Sequence, residues 1–304
     1  MDKIAVVIVH YNTPDETREC LESLAGITPN QNYQVKIFVV DNGSKDVFVL
    51  PAKKYKNVEI IRSNTNLGFS GGNNLGFKIA KEQFNPDYFL AINSDTFVEP
   101  HFLDHLWTTL KDDNEIGLVS PKIYFAPGNE FHAQSYKKSE LGKVIWFVGG
   151  IIDWQNLQTF HLGIDEVDRG QFEDITDMDF ISGCCFLVRR EVLATTGVFD
   201  DRYFLYYEDA DLSMRIKSAG YKLAICPKSI IWHINGGSGG GGGSNLQVFY
   251  QTRNRLLFFF TYGGFRIKIT ALRLMFKLLF KGSKIERRAA FKFLCRQFGK
   301  ELVI

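Results

Sequence analysis

The chain has 304 residues and a formal net charge of +2, and 45% of its residues are hydrophobic. Such a chain can bury a full core, which excludes a disordered protein and fits one large domain or one domain plus an appendage. No stretch reaches about 18 consecutive apolar residues, and the sequence begins directly with a strand-like segment, so we expect neither a membrane-spanning helix nor a secretory signal. Its five cysteines show no paired metal spacing and suit a reducing compartment. We therefore expect a cytoplasmic protein.

The first half alternates predicted strands and helices. "KIAVVIVHYN" is a buried strand, and "TPDETRECLESLAGI" is a helix with Thr13 as N-cap, Pro14 at the first helical position and Glu16 completing a capping box. The strands "VKIFVVDNGS" and "VEIIRS", the glycine-led helix "SGGNNLGFKIAKEQF" and the strand "YFLAINSD" follow. This alternation predicts a parallel, doubly wound α/β sheet over residues 1–120, which would form the nucleotide-binding half.

The second half is less regular. Residues 121–245 contain strand-like segments, a helix-like "EDADLSMRIKSAG" and a late strand "YKLAICPKSIIWHI", which predict mixed sheet and loops on the same body. Residues 236–244 are only Gly and Ser. Such a run behaves as a flexible linker, either engineered in place of a native loop or a natural mobile loop beside a site.

Polar residues follow four successive predicted strands, in "HYN", "VDNGS", "SNTNLGFSGGNN" and "NSD". Each set alone is more typical of a turn, but four at strand ends favour a ligand crevice at the carboxyl edge of the sheet. Asp41 can accept a hydrogen bond from a nucleobase imide or a ribose hydroxyl. Asp95 offers the hard oxygen that Mg²⁺ or Mn²⁺ prefers when it bridges a diphosphate.

A second cluster combines Glu208, Asp209 and Asp211 with Arg215. Three neighbouring carboxylates raise the pKa of at least one of them and favour a cation or a proton-transfer role. The alternative is an acidic helix start with an Asp211–Arg215 ion pair. His233 ends the late strand and is either a metal ligand or a core imidazole.

These motifs together resemble family 2 glycosyltransferases of the GT-A fold, particularly bacterial rhamnosyltransferase-like members, over residues 1 to about 260. The resemblance implies that Asp41 recognises the base of a nucleoside diphosphate sugar, with dTDP-rhamnose as the expected donor. It also implies that Asp95 and His233 hold the divalent cation and that Asp209 is the general base. Further donor contacts are expected from Tyr11, Asn12, Asn66, Gly68, Gly71, Gly72, Asn73, Asn93, Ser94 and Arg215.

One departure from the family pattern is visible. The Asp-X-Asp triplet of the family appears as Asn93-Ser94-Asp95, so an amide replaces the first carboxylate. Metal binding would then depend more heavily on Asp95 and His233. With one base and one metal, a single displacement would invert the anomeric centre.

The C-terminal segment differs from the body in charge. Residues 246–304 contain 13 Lys and Arg against 2 Glu, whereas residues 1–245 contain 23 basic and 32 acidic residues. We therefore predict a catalytic domain over 1–245 and a basic amphipathic helical segment over 246–304. Such helices fit an anionic membrane surface or a cover over the catalytic core, and fit nucleic acid less well. Membrane proximity suits a polyprenyl-diphosphate-linked acceptor, which the resemblance also implies.

Two other classes of function remain to be weighed. A nucleotide-binding oxidoreductase is disfavoured because the first βα turn, "HYNTPDET", contains no glycine. A catalytically idle carbohydrate-binding scaffold on the same fold is the stronger alternative. The presence of both Asp95 and Asp209 argues against it.

Overall fold

The computed structural model of the protein describes five stretches of the chain: residues 1–28, 30–51, 54–175, 178–234 and 243–301. The Gly/Ser run at 236–244 lies outside the described residues except for its last two members. In these five stretches, no helix has the length and apolar character that a membrane span requires.

The first half of the chain forms the parallel part of a mixed sheet, as predicted. Its elements are β1 (Asp2–His10), α1 (Pro14–Ala25), β2 (Tyr33–Asn42), β3 (Val58–Ser63), α2 (Gly68–Gln83) and β4 (Tyr88–Asn93). The strands lie in the order β3-β2-β1-β4, and each neighbouring pair is parallel. Their carboxyl ends therefore meet at one edge of the sheet, where the predicted polar sets lie.

The second half extends this sheet with mixed pairing. Its elements are β5 (Thr96–Val98), α3 (Phe102–Asp112), β6 (Ile116–Phe125), β7 (Ile145–Phe147), β8 (Gly150–Asp153), β9 (Gln158–His161), β10 (Cys185–Arg189), α4 (Arg190–Thr196), α5 (Glu208–Ser218) and β11 (Lys222–His233). Strand β10 is antiparallel to β4 and β6, and β11 is parallel to β6 but antiparallel to β5. Strands β8 and β9 form a separate antiparallel pair.

The first helix begins where the sequence predicts, but not by the predicted cap. Helix α1 starts at Pro14, and the Thr13 side chain makes no capping hydrogen bond. The Thr17 hydroxyl instead donates to the Thr13 carbonyl at 2.8 Å. The capping box is therefore wrong, and the fixed φ of Pro14 and the buried face of α1 suffice to start the helix.

The C-terminal segment contains three helices, α6 (Asn245–Tyr262), α7 (Phe265–Lys281) and α8 (Lys284–Leu294). Leu257, Phe258 and Phe259 of α6 belong to the same buried core as the strands of the sheet. Helix α7 buries Ala271 and Met275 and leaves much of its other face exposed. The segment thus packs on the sheet through α6 and presents α7 outward.

Candidate active site

Asp41 lies fully buried at the end of β2, where its carboxylate already has several partners. It accepts hydrogen bonds from the backbone N–H groups of Phe48 at 3.0 Å and Ser44 at 3.1 Å, and it forms an ion pair with Arg62. Burial alone would raise the pKa of Asp41, but these hydrogen bonds outweigh it and lower the pKa below its usual value. The carboxylate therefore stays ionised and fixes the surrounding loop.

A cavity of about 360 Å³ lies beside this loop at the carboxyl ends of β1 and β2, and His10, Asn12, Arg18, Lys45 and Phe48 are among its lining residues. Asn12 adopts a left-handed φ of 57° and joins the two loops: its N–H donates to the Ser44 hydroxyl, and its side-chain oxygen accepts from the Lys45 N–H. Tyr11 is half-buried in the preceding position. The cavity is large enough for a nucleobase, and the Asp41 loop forms one side of it.

Asn66 and Gly68 shape the chain where it enters α2. The buried side chain of Asn42 donates to the Gly68 carbonyl at 2.9 Å and accepts from the Leu67 N–H at 2.9 Å. The Asn66 side chain accepts from the Gly68 N–H. Gly68 has a φ of +76°, and a Cβ there would lie 2.3 Å from the Phe204 carbonyl oxygen. Both residues thus stabilise the start of α2, and only glycine fits at position 68 because the backbone of Phe204 lies so close.

Gly71, Gly72 and Asn73 lie inside α2 and do not form a loop. A Cβ on Gly72 would meet Val9 at 2.8 Å, so this glycine lets α2 pack closely on β1, and a Cβ on Gly71 would lie 2.9 Å from the Leu67 side chain. The Asn73 amide donates within the helix to a backbone carbonyl at 3.0 Å. The first N–H groups of α2 already donate to the Phe204 carbonyl. These contacts lend no support to a phosphate role for the three residues.

Asp95 and His233 meet where β5 pairs with β11. Their side chains approach within 3.2 Å, from Asp95 Oδ1 to His233 Nε2, and the Trp146 ring packs edge-on against the imidazole at 4.4 Å. His233 Nδ1 is buried and has no hydrogen-bond partner among the described residues. The carboxylate remains 14% exposed. One carboxylate oxygen and one imidazole nitrogen therefore face a common point at the edge of the sheet.

Asn93 ends β4, and Ser94 and Asp95 form the turn between β4 and β5. The Asn93 N–H donates to the Cys184 carbonyl at 2.8 Å, and the Asn93 carbonyl accepts from the Thr96 hydroxyl at 2.7 Å. Ser94 is buried. Hydrogen bonds thus hold the backbone at Asn93, and Asp95 carries the one carboxylate side chain of the triplet.

Asp209 lies in the first turn of α5. Its Oδ2 accepts from the Gly183 N–H at 3.0 Å and its Oδ1 from the Ala210 N–H at 2.8 Å. Burial raises the pKa of Asp209 despite these hydrogen bonds. Burial, followed by the charge of Asp209, also raises the pKa of the adjacent Glu208 well above its usual value. Glu208 Oε2 lacks a hydrogen-bond partner in the described chain.

Asp209 and the turn that carries Asp95 are attached to adjacent residues just before β10. Gly183 donates to Asp209, and the next residue, Cys184, accepts from Asn93 beside Asp95. Burial raises the pKa of the Cys184 thiol, and the charges of Asp95 and Asp209 raise it further. The Asp95–His233 pair and Asp209, a carboxylate with a raised pKa, are therefore linked through one short segment of backbone.

Arg215 is occupied by structural contacts. Its guanidinium forms an ion pair with Asp211 at 2.8 Å and donates to the carbonyls of Thr196 at 2.6 Å and Val198 at 2.8 Å. The Asp211 carboxylate also accepts from the Tyr262 hydroxyl of α6 at 2.7 Å. The ion pair foreseen as the alternative is present, and these contacts lend no support to a phosphate or sugar contact.

The mixed sheet and the polar residues at its strand ends define a GT-A-type α/β protein. The family model for glycosyl transferase family 2 matches residues 5–197. The chain belongs to this family and is a glycosyltransferase.

Several proteins with sequences similar to this chain are named as rhamnosyltransferases. N-acetylglucosaminyl-diphospho-decaprenol L-rhamnosyltransferase of Mycobacterium tuberculosis is 27% identical over 240 residues, which cover 76% of each chain. Rhamnosyltransferase WbbL of Escherichia coli is 25% identical over 231 residues, 74% of this chain and 80% of the relative. The predicted resemblance to bacterial rhamnosyltransferases is therefore confirmed.

A solved structure supports the fold. The crystal structure of GalNAc-T7 with UDP, GalNAc and Mn²⁺ superposes with a TM-score of 0.62 and 17% identity. The match covers 98% of this chain and 55% of the GalNAc-T7 chain, so this chain spans about half the length of that protein. The likeness confirms the predicted fold class.

Proposed function

We propose that the chain is an inverting, metal-dependent rhamnosyltransferase. It would transfer rhamnose from dTDP-rhamnose to a cell-surface polysaccharide or to a polyprenyl-diphosphate-linked glycan. The observation that carries this proposal is a backbone link between the two predicted parts of the site: Gly183 donates to Asp209, and the next residue, Cys184, accepts from Asn93, two residues before Asp95. Donor activation and acceptor deprotonation would then take place on two sides of one crevice.

The choice of donor and acceptor rests on the relatives. Two of them are named as rhamnosyltransferases, and one of these names specifies a decaprenol-diphosphate-linked acceptor. The cavity beside the Asp41 loop would hold the nucleobase. Because Asp41 is fully bonded, it would act there by fixing the loop, or it would exchange one of its present partners for the base.

Asp95 and His233 fit a divalent cation that a diphosphate also ligates. Among the described residues, no group of three or more His, Cys, Asp or Glu side chains is arranged to hold a metal ion. One or two protein ligands are enough when substrate phosphates and water complete the shell, as Mg²⁺ sites commonly show. Bound there, Mg²⁺ or Mn²⁺ would offset the charge that develops on the departing diphosphate.

Asp209 would remove the proton from the acceptor hydroxyl. A carboxylate with a raised pKa is a stronger base than an exposed one, so it is better matched to a hydroxyl that becomes acidic only as the new bond forms. The bonds from Gly183 and Ala210 fix its position. Attack from this side, opposite the diphosphate, inverts the anomeric centre without a covalent enzyme intermediate.

A panel of nucleotide sugars, each with and without Mn²⁺ or Mg²⁺, tests this proposal by the release of free nucleoside diphosphate. We expect metal-dependent release of dTDP from dTDP-rhamnose when the acceptor is present. Binding of a nucleotide sugar without turnover would favour the idle carbohydrate-binding scaffold instead.

Membrane association is a further part of the proposal, and the outer face of α7 supports it. Phe265, Leu272, Phe276 and Phe280 are exposed and share one side of the helix. Arg273, Lys277 and Lys281 form an adjacent exposed row, and α7 contains no acidic residue. An aromatic stripe beside a basic row is the pattern of a helix that lies in an anionic interface. The protein would then act peripherally, at the cytoplasmic face of the membrane.

Reversing the charge of Arg273, Lys277 and Lys281 together to Glu should release the protein from anionic vesicles. Each basic residue near such a surface contributes about 1 kcal/mol, so we expect binding to weaken at least about 100-fold. The measurement is cosedimentation with phosphatidylglycerol vesicles at low and high salt, because salt screens this attraction.

The matched control reverses three exposed lysines of the catalytic body, Lys78, Lys81 and Lys138, and should leave vesicle binding nearly unchanged. Donor hydrolysis should survive in both triple variants. Vesicle binding that ignores salt and both sets of substitutions would contradict a membrane role for α7.

A further inference from the structure

Asn254, fully buried in α6, holds the loop that leads into α5. Its side-chain amide donates to the backbone carbonyls of Tyr203 at 2.8 Å, Leu205 at 2.8 Å and Tyr206 at 2.9 Å. Three carbonyls of one loop therefore converge on a single amide group. Only a side chain that places an amide group at the same point can preserve this pattern.

Arg253, the preceding residue, is a buried cation whose hydrogen bonds go to neutral oxygens. It donates to the carbonyls of Arg202 at 3.0 Å, Tyr203 at 3.1 Å and Gly299 at 2.7 Å, and its Nε donates to the Asn254 side chain at 3.0 Å. The Tyr250 ring packs 4.9 Å from its guanidinium. A buried charge is costly, so the structure retains it where its donors satisfy many carbonyls at once.

The loop that these two residues hold is strained. Phe204, Tyr206 and Tyr207 have φ values of 64°, 69° and 72°, a region that bulky L-residues seldom adopt. The Phe204 carbonyl also accepts from the first amides of α2, and Tyr207 immediately precedes α5. The loop thus connects the start of α2, on the nucleotide side, with the helix turn that carries Asp209.

We propose that Arg253 and Asn254 are positioning residues for the acceptor side of the reaction: they hold the loop 203–207 in its strained form, and the loop fixes Asp209 against Gly183. This inference rests on the proposed function, in which Asp209 is the base. Strained backbone persists only where its surroundings over-determine it, and here α6 donates four hydrogen bonds to carbonyls of the loop, against two from α2. The basic C-terminal segment therefore contributes to the active site from its inner helix.

The test replaces Asn254→Ala and measures steady-state kinetics together with amide hydrogen exchange. We expect kcat to fall about 100-fold, because a small displacement of a reacting group has an effect of this size, while the donor KM changes little. Amide exchange over residues 203–209 should become faster. Arg253→Met should act in the same direction.

The matched control is Leu256→Ala, a buried residue of α6 that packs against Met275 and Ala290 instead of the loop. It should lower thermal stability but keep kcat and the exchange of residues 203–209 near those of the unmodified chain. A normal kcat in Asn254→Ala, or an equal loss of kcat in Leu256→Ala at matched stability, would overturn the inference.

The proposed function can fail separately. If Asp209→Asn retains full transfer activity, Asp209 is not the base, and the catalytic part of this inference fails with that assignment. Unchanged exchange at residues 203–209 in Asn254→Ala, with Asp209→Asn inactive, would instead overturn the positioning role alone.

Discussion

Asp209→Asn should lower kcat by about 10²–10⁴-fold, the range that general base catalysis contributes. The amide keeps the shape of the carboxylate and can still accept one of the two bonds from Gly183 and Ala210, but it cannot take a proton from the acceptor. Binding of the donor should change little because the nucleotide side of the crevice is untouched. Transfer assays with saturating donor and acceptor measure this effect.

The matched control is Glu208→Gln, since Glu208 is the neighbouring buried carboxyl with a raised pKa. It should retain most of the activity. If Glu208→Gln is inactive and Asp209→Asn is active, the two assignments are reversed.

The same assignment predicts a pH dependence. Burial raises the pKa of Asp209, and a base acts only when it is deprotonated. The kcat of the unmodified chain should therefore fall on the acidic side, with a midpoint above the usual range for Asp, and recover as the pH rises. A profile that stays flat down to pH 4 would contradict this assignment.

Asp95→Ala should abolish metal-dependent transfer. The loss of activity should exceed the roughly 10–100-fold that follows when a residue hydrogen-bonded to a metal ligand is mutated. The substitution removes the carboxylate that faces His233, whereas Asn93→Ala removes a neutral amide that binds a hard cation weakly. Asn93→Ala should therefore cost far less. Activity and Mn²⁺ binding, followed by electron paramagnetic resonance, should fall together in Asp95→Ala, and equal losses in the two variants would contradict the assigned roles.

The sequence predicts the parts of this site that depend on local pattern. Short-range periodicity predicts the ends of β1, β2 and β4 and the polar residues that follow them. It also predicts the helices that begin at Pro14 and Glu208. The family resemblance, not local pattern, predicts that Asp95 and His233 share a site, and the β5–β11 pairing brings the two together.

Other contacts required the tertiary structure. Arg62 faces Asp41 because β2 and β3 pair in that register, and only the strand order reveals it. Arg253 and Asn254 interrupt the hydrophobic run of α6, and in the sequence Arg253 contributes only to the basic charge of the segment, while Asn254 carries no signal. Their partners lie about 50 residues away in the chain, beyond the reach of local pattern.

The glycines of α2 show a limit of composition. "SGGNNLGFKIAKEQF" predicts a glycine-led helix, which the structure confirms as α2, and Gly72 and Gly76 let this helix pack closely on Val9 and Val7. Composition alone does not distinguish close approach to a ligand from close approach to a strand.

The anomeric configuration of the product tests the central claim most directly. The purified chain is incubated with Mn²⁺, the acceptor and the nucleotide sugar that the panel selects, and the new glycosidic linkage is examined by NMR. A single displacement, with Asp209 as the base opposite the diphosphate, predicts a linkage of the opposite configuration to that of the donor. A product with retained configuration would contradict this account.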